Sequence, residues 1–297
     1  MLRESRIPIK YTFGIIKYEL TIVLLLGLAT HLGAFELMNT LPVMPLAIPA
    51  FLGTSISVLL SFKMNQSYDR WWEARRIWGS ILNDSRSLII QLQSFIGVPK
   101  TPIIKLIGYR QIAWGYVLGR SLRRQNALQY IAHLLPLPEL TAAATQNNQP
   151  LFLLQNTARD LEKLRQRDTI DVHAHIHLQE TIIRLTDSMG GVERINNTVF
   201  PSTYRLVLHF IIYLFVVTLA ISLKDIDNRL VIPLLLLISA GFFLIEKVAY
   251  YLQDPFRNRP SDVAITEIAK TIEKDIRQLL GEEATATEPD TRTYYIM

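Results

Sequence analysis

The sequence predicts an all-α membrane protein with four spans and a helical bundle outside the membrane, and three observations lead to this prediction. Hydrophobic residues make up 49% of the 297 residues, and the mean hydropathy is +0.21, which is more apolar than an ordinary soluble domain. Four nearly uncharged stretches are long enough to cross roughly 30 Å of hydrocarbon. Between the second and third stretches, apolar residues recur at helical spacing.

The chain begins with a predicted interfacial segment and a membrane hairpin. Residues 1–19 mix basic with apolar and aromatic side chains, which is typical of a helix lying on the inner membrane surface. The hairpin follows at 20–62, and its second span carries no charge. Prolines crowd the start of that span, where a missing amide donor matters least: Pro42, Pro45 and Pro49. Basic residues flank both outer ends of the hairpin, so we expect both termini of the protein in the cytoplasm.

Residues 63–205 are predicted to form a cytosolic helical domain, because nothing between Arg70 and about residue 200 is apolar enough to span. Gly190 and Gly191 lack the spacing of a nucleotide loop and are interpreted as a tight turn. The basic run of this domain is interpreted as a solvated helix face, with contact to lipid headgroups or a permeating anion as the alternative: Arg120, Arg123 and Arg124. Helix breaks are expected at three places: 97–102, 135–150 and 168–171.

A second membrane hairpin is predicted at 206–251. Glu246 and Lys247 lie near its inner end, where we expect their charges to reach the interface. Residues 252–297 are predicted to form a cytosolic C-terminal helix, capped by Ser261, and a flexible tail. One stripe of this helix should dock onto the bundle: Ile265, Ile268, Ile272, Ile276 and Leu279.

The second span has two faces of interest. One carries small residues that let another helix approach closely in lipid: Gly53, Ser57 and Ser61. The next carries three side chains at the same spacing: Thr54, Val58 and Phe62. Rings of these three from several copies of the chain would form a narrow, mostly apolar constriction that gates ions by dewetting. Lipid contact or helix packing is the ordinary meaning of such a stripe.

Three separated stretches resemble the bestrophin family, in the family's order. Residues 67–80 read SYDRWWEARRIWGS, which resembles the signature after the second membrane helix of that family. Residues 190–209 read GGVERINNTVFPSTYRLVLH and resemble the entry to the third helix. Residues 251–256 read YLQDPF and resemble the segment after the fourth. The resemblance extends over nearly the whole chain, although the region from about Lys100 to Asp187 matches only as generic helix.

The resemblance implies a barrel-shaped homopentameric channel in the cell inner membrane, with its pore on the fivefold axis and no cofactor or enzymatic activity. Its partners would be further copies of the chain, small inorganic ions and membrane lipid. Carried over residue by residue, the family's neck falls on Thr54, Val58 and Phe62, and its cytosolic aperture falls on Phe200. Thr54 is polar where that neck is commonly bulky and apolar, and Phe200 is larger than the usual aliphatic residue. The sequence RNRPSD replaces an acidic cluster resembling a calcium clasp, so calcium activation is not expected.

The resemblance does not by itself imply which ions pass, because members of the family pass either small anions or monovalent cations. The net charge of +5 favours anions such as chloride, and a monovalent-cation channel of the same fold remains the alternative. The absence of cysteine excludes disulfides, thiolate metal sites and cysteine nucleophiles.

Other functional classes rest on isolated residues. In the stretch HAHIH, His173 and His177 are helical neighbours that could hold a metal with Asp171 or with another subunit, as in a membrane-anchored metal-dependent sensor or enzyme. A third possibility is an inner-membrane interaction scaffold. His31 and His209 lie inside apolar spans and are interpreted as neutral groups bonded to a neighbouring helix. Three tryptophans fit an interfacial belt and core packing better than nucleic-acid binding: Trp71, Trp72 and Trp78.

Overall fold

The computed structural model describes residues 8–32, 44–97, 102–198, 201–223 and 228–282. Within these ranges the regular structure is entirely helical, which confirms the all-α prediction. The helices are α1 Ile9–Leu32, α2 Ala47–Ile96, α3 Pro102–Leu122, α4 Leu137–Ala144, α5 Gln149–Gln166, α6 Val172–Asn197, α7 Ser202–Ser222, α8 Asn228–Gln253 and α9 Ile265–Leu279. They belong to two compact units. The membrane unit comprises the described residues of Glu4–Arg70 and Val199–Asp254, and the bundle unit those of Trp71–Thr198 and Pro255–Met297.

Four helices are long and apolar enough to cross a membrane, as the hydropathy predicts. The four candidate spans are Lys10–Ala29, a window within Ala47–Ile96, Thr203–Ser222 and Leu230–Gln253. Helix α1 begins at Ile9, so the predicted interfacial segment and the first span share one helix. Helix α2 continues for 50 residues and does not end where the uncharged stretch ends.

Apolar side chains from all four helices build the core of the membrane unit. Its fully buried members include Val23 of α1, Ile56 of α2, Ile212 of α7 and Phe243 of α8. A Cβ atom added at Gly53 would lie 3.3 Å from Cε2 of Phe215, so a small residue there allows α2 and α7 to approach closely.

The bundle unit has its own core, centred on α3. Trp78 of α2 and Trp114 of α3 are fully buried in it, as the packing interpretation of Trp78 predicts. Helix α9 docks on α3 through a stripe that includes Ile265, Ile272 and Ile276, which are at most 1% exposed. The predicted docking of the C-terminal helix is therefore confirmed.

Two local predictions about the bundle unit are wrong. Ser261 does not cap α9, which begins at Ile265 after Ala264; instead the Ser261 carbonyl accepts a hydrogen bond from Nε1 of Trp71 at 3.0 Å. Gly190 and Gly191 lie inside α6 and form no turn. A Cβ atom at Gly191 would lie 3.0 Å from Cδ1 of Ile77, so this glycine serves the close approach of α2 and α6.

The predicted helix breaks are only partly right. Helices α5 and α6 are separated by a break that includes residues 168–171, as predicted. The break at 135–150 holds the short helix α4, whose first turn contains Pro138 near its start, where proline is tolerated. At the break predicted for 97–102, α2 ends at Ile96 and α3 begins at Pro102.

Candidate functional site

One face of α2 within the membrane unit is left exposed by the residues that the structure describes. Thr54 is exposed on this face, Val58 is 51% exposed and Phe62 is 64% exposed. We call these three residues the candidate pore stripe. Ile56, Leu60 and Lys63 lie on the opposite side of the helix and are at most 2% exposed. Packing within the membrane unit therefore fixes the orientation of α2 about its own axis, and the candidate pore stripe faces outward.

The hydroxyl groups of this outward face are used within the helix itself. Oγ1 of Thr54 donates to the carbonyl oxygen of Ala50 at 3.0 Å, and Oγ of Ser57 donates to that of Gly53 at 2.8 Å. Because these donors are occupied, the face offers apolar groups and oxygen lone pairs to whatever contacts it. Such a surface carries no net charge.

A surface cleft lies beside the candidate pore stripe, between α2 and α8. Its volume is about 260 Å³. The lining residues are Ser57, Leu60, Ser61, Met64, Asn65, Phe242 and Ile245. Two of the three small residues predicted to admit another helix, Ser57 and Ser61, thus border open space.

A buried ionic cluster ties α2 to the other helices of the membrane unit. Glu246 of α8 is completely buried, and its Oε1 lies 3.2 Å from Nζ of Lys63 and 3.5 Å from Nε of Arg205. Nε2 of His209 lies 3.3 Å from Oε2 of the same carboxylate. We call these four residues the ion cluster. A lone carboxylate in an apolar bundle is costly, so three basic neighbours compensate the burial of Glu246.

The ion cluster corrects one sequence prediction and supports another. Glu246 and Lys247 do not extend to an interface: Glu246 is buried in the cluster, and Nζ of Lys247 contacts Oε1 of Glu19 of α1 at 2.6 Å. His209 contacts a neighbouring helix through Glu246, as predicted, while the neutral state that we predicted for it stays a prediction. The side chain of His31 lies outside the described part of the chain. The sequence contained one signal for the ion cluster: Lys63 is the first charge after the second span and directly follows Phe62.

The histidine-rich stretch does not assemble a metal site in the described ranges. No three histidine, aspartate or glutamate side chains converge there in a geometry that could hold a metal ion. Asp171 instead caps α6, its carboxylate accepting from the amide of Ala174 at 2.7 Å. His173 is exposed on the first turn, and Nδ1 of His177 lies 3.4 Å from Oε2 of Glu180.

The residue assigned to the cytosolic aperture, Phe200, lies outside the described residues. The helices on either side of it are described: α6 ends at Asn197, and α7 begins at Ser202 directly after Pro201.

Comparison with known proteins identifies the family. The Bacterial/Fungal Bestrophin protein family matches residues 13–278 of this chain. A voltage-dependent anion channel-forming protein of Salmonella typhi is 30% identical over 237 residues, covering 78% of this chain and 76% of that protein. The voltage-dependent anion channel-forming protein YneE of Escherichia coli O157:H7 is 28% identical over 280 residues, covering 94% of this chain and 87% of that protein.

Solved structures agree with the sequence matches. The crystal structure of a bacterial bestrophin homologue from Klebsiella pneumoniae superposes with a TM-score of 0.82 at 23% identity, covering 90% of this chain and 99% of that one. At this identity the match shows a shared fold. The resemblance read from the three sequence stretches is confirmed, and this multi-pass membrane protein belongs to the bacterial and fungal bestrophin family.

Proposed function

We propose that this protein conducts small anions such as chloride through a pore enclosed by several copies of the chain. The proposal is supported by relatives that match most of the length of this chain and are named voltage-dependent anion channel-forming proteins. The family is one of channel-forming proteins, and the chain is not an enzyme.

The assembly we propose is a barrel-shaped homopentamer in the cell inner membrane with both termini in the cytoplasm. Thr54, Val58 and Phe62 of each copy line the neck, and Phe200 lines the cytosolic aperture. A cyclic arrangement suits this geometry because one repeated interface brings the same helix face of every subunit to the axis. The cleft beside Ser57 and Ser61 then receives the α2 helix of the neighbouring subunit, where small residues favour close packing.

The observation that carries the proposal is the orientation of α2 about its own axis, which leaves the candidate pore stripe exposed. Its apolar face is exposed over two turns, while the ion pair between Lys63 and Glu246 holds the opposite face in the protein. A hydrophobic constriction needs an apolar face that is both accessible and held in place, and the candidate pore stripe satisfies both conditions. A stripe that only met lipid would be equally exposed, so the deciding experiment must measure contact with water.

Cysteine accessibility separates a pore from a lipid surface, and the native chain contains no cysteine that would interfere. In planar bilayers, a charged thiol reagent should block the current of a Val58→Cys channel. The same reagent should leave a Leu237→Cys channel unaffected, because Leu237 lies on α8, is 72% exposed and does not line the cleft beside the stripe. Equal insensitivity of both variants would contradict the assignment of the stripe to the pore.

Ion selectivity is tested separately by the reversal potential under a chloride salt gradient in liposome-fused bilayers. We expect a reversal potential close to the equilibrium potential of chloride. A value close to that of the cation would replace the proposal by a monovalent-cation channel of the same fold. Absence of any current from reconstituted protein would contradict the channel function itself.

A further inference from the structure

His209 and Glu246 bring two buried polar atoms together inside the membrane unit. Nε2 of His209 on α7 lies 3.3 Å from Oε2 of Glu246 on α8. Both atoms are buried, and neither makes a well-aligned hydrogen bond to any residue that the structure describes. Two bare acceptors that face each other in an apolar core would be costly. The neutral imidazole therefore carries its proton on Nε2, toward the carboxylate.

Two cations already share the other oxygen of this carboxylate. Nζ of Lys63 lies 3.2 Å and Nε of Arg205 lies 3.5 Å from Oε1 of Glu246. Arg205 is 36% exposed, and its guanidinium also lies 4.2 Å from the ring centre of Tyr250. Lys63 is 1% exposed, and in the described part of the chain its ammonium pairs with Glu246 only. The burial of Lys63 is therefore compensated by a single carboxylate.

The remaining groups around His209 bring no second acid into contact with it. The ring of His209 packs edge-on against Tyr213 of α7, with the ring centres 6.4 Å apart. The charge of Glu19 on α1 acts on Tyr213, but Oε1 of Glu19 is paired with Nζ of Lys247 at 2.6 Å. Oε2 of Glu19 is buried without a hydrogen bond to a described residue. Among the described residues, Glu246 is thus the carboxylate within ion-pair distance of His209.

A second proton on His209 would make two cations compete for one carboxylate. While His209 is neutral, the buried charges of Lys63 and Glu246 balance. An imidazolium at Oε2 would add an unbalanced charge and repel the Lys63 ammonium at Oε1, and such a charge is costly in an apolar bundle. Lys63 directly follows Phe62, so a weaker hold on Lys63 acts next to the candidate pore stripe.

Protons can reach this histidine. The third span begins at Thr203, so His209 lies about 9 Å inside it at about 1.5 Å per residue. The His209 side chain is 22% exposed, although Nε2 itself is buried. Histidine is the side chain that ordinarily changes its charge between about pH 5 and about pH 8. The charge of the ion cluster can therefore follow the pH around neutrality.

We propose that His209 is a proton-binding site that regulates the pore, an inference that rests on the proposed channel function. At high pH the Nε2–H group of neutral His209 faces Oε2 of Glu246, and Lys63 holds Oε1. As the pH falls, Nδ1 takes up a proton from water and returns it when the pH rises. The imidazolium then competes with Lys63 for the carboxylate, and α2 is held less firmly beside the candidate pore stripe.

Thermal unfolding of Lys63→Met in an uncharged detergent tests the proton site without any current. The substitution removes one competitor, so protonated His209 becomes the counter-charge of Glu246. The fall in unfolding temperature relative to the native protein should be several degrees smaller at about pH 5.5 than at about pH 8. The sign follows because a histidine that gains an acidic partner adds stability at low pH, and this stability is lost as the pH rises.

The same comparison in a His209→Gln background is the control. Glutamine keeps an N–H donor for Oε2 and does not titrate, so Lys63→Met should now cost the same at both pH values. A pH dependence that persists in this background would show that a carboxylate takes up the proton, and the proposal would be wrong. Equal losses at both pH values with His209 present would also overturn it. If Lys63→Met does not fold, Lys63→Gln replaces it, because its amide can still donate to Oε1.

Planar-bilayer recordings test the regulation. The open probability of the native channel should change between about pH 8 and about pH 5.5, and that of His209→Gln should not. His133→Gln is the matched control, because His133 is exposed in the bundle unit, and it should keep the native pH dependence. The same pH dependence in His209→Gln as in the native channel would refute the regulation. Absence of current at every pH would contradict the channel function instead, while the unfolding measurements would still decide the proton site.

Discussion

Thr54 is the residue at which the candidate pore stripe departs from an apolar neck. Its hydroxyl donates within the helix and leaves oxygen lone pairs toward the exposed face, so a ring of threonines is smaller and more easily wetted than a ring of isoleucines. We expect Thr54→Ile to reduce single-channel conductance or open probability in planar bilayers.

Thr21→Ile is the matched control for this substitution. Thr21 is also exposed, on α1, and its Oγ1 makes the same type of bond to the carbonyl of Lys17 at 2.8 Å. Its replacement should leave the current unchanged. Unchanged currents in Thr54→Ile as well would remove Thr54 from the neck.

Asp262 in the bundle unit makes stability depend on pH. Burial raises the pKa of its carboxyl from 3.8 to about 6, although the Arg259 amide and the charges of Arg259 and Arg123 oppose the rise. Between these values the folded protein holds a proton that the unfolded chain has lost, so stability falls as pH rises from about 4 to about 6. Above that range the charged, buried carboxylate costs at most about 3 kcal/mol.

Asp262→Asn should therefore stabilise the protein by about 1–3 kcal/mol at neutral pH and by almost nothing near pH 4. The asparagine keeps an oxygen that can accept from the Arg259 amide. Thermal unfolding in detergent at the two pH values measures the difference. Asp187→Asn, at an exposed position of α6, is the control for a change in charge alone. A destabilised Asp262→Asn at neutral pH would mean that attraction to Arg123 outweighs burial.

At the scale of helices, the ion cluster couples α2 to α7 and α8. Glu246→Gln leaves Lys63 buried without a counter-charge, and breaking a buried pair in this way costs about 3–5 kcal/mol. The unfolding temperature in detergent should fall accordingly. Channel currents should change as well, because Lys63 directly follows Phe62 of the candidate pore stripe.

The double variant Lys63→Met, Glu246→Gln is the control for this prediction. It removes the buried charge along with its partner, so it should be more stable than the sum of the two single changes predicts. Arg205 is 36% exposed in its side chain and can turn toward solvent in that variant. Strictly additive losses would show that the pair does not couple the helices.

Helix packing in the bundle unit gives a second prediction at this scale. A Cβ atom at Gly119 of α3 would lie 2.6 Å from Cγ2 of Ile265 on α9. Gly119→Ala should destabilise the protein, because overpacking costs about 1–3 kcal/mol and exceeds the gain of up to about 1 kcal/mol in helix propensity. Chemical unfolding followed by tryptophan fluorescence measures the change, since the bundle unit contains buried Trp78 and Trp114.

Gly190→Ala provides the opposite expectation within the same unit. Gly190 lies inside α6, and an added Cβ atom would meet no atom of the described residues within 4 Å. This substitution should stabilise by about 0.5–1 kcal/mol through helix propensity alone. If both glycine variants stabilise the protein, the close packing of α3 and α9 at Gly119 is not tight enough to matter.

At the scale of the whole molecule, the proposed function requires assembly. A single chain presents the candidate pore stripe on an open surface, so it cannot enclose a path for ions by itself. We expect light scattering in mild detergent to report a protein mass five times the 34.0 kDa of one chain. Ser61→Trp, which fills the cleft beside the stripe, should lower that mass if the neighbouring α2 packs there. A monomer in the native protein would contradict the pore.

The sequence by itself determined the features that depend on local composition. Uncharged length predicted all four spans, because a helix must be apolar over its whole crossing to lie in hydrocarbon. Helical periodicity predicted the stripe by which α9 docks, and spacing placed Thr54, Val58 and Phe62 on one face of α2. The three bestrophin-like stretches were sufficient to identify the family.

Only the tertiary structure decided how charges and close contacts pair, because their partners lie far apart in the chain. Lys63 and Glu246 are 183 residues apart, and although Lys63 is the first charge after the second span, its position does not identify Glu246 as its partner. In the same way, the interpretation of the basic run as a solvated helix face is wrong for Arg123, because its Nη1 donates to Oγ1 of Thr266, 143 residues later in the chain, and its Nε and Nη2 are buried. Burial and pairing are properties of the packed molecule, since the free energy of a charge depends on which groups surround it.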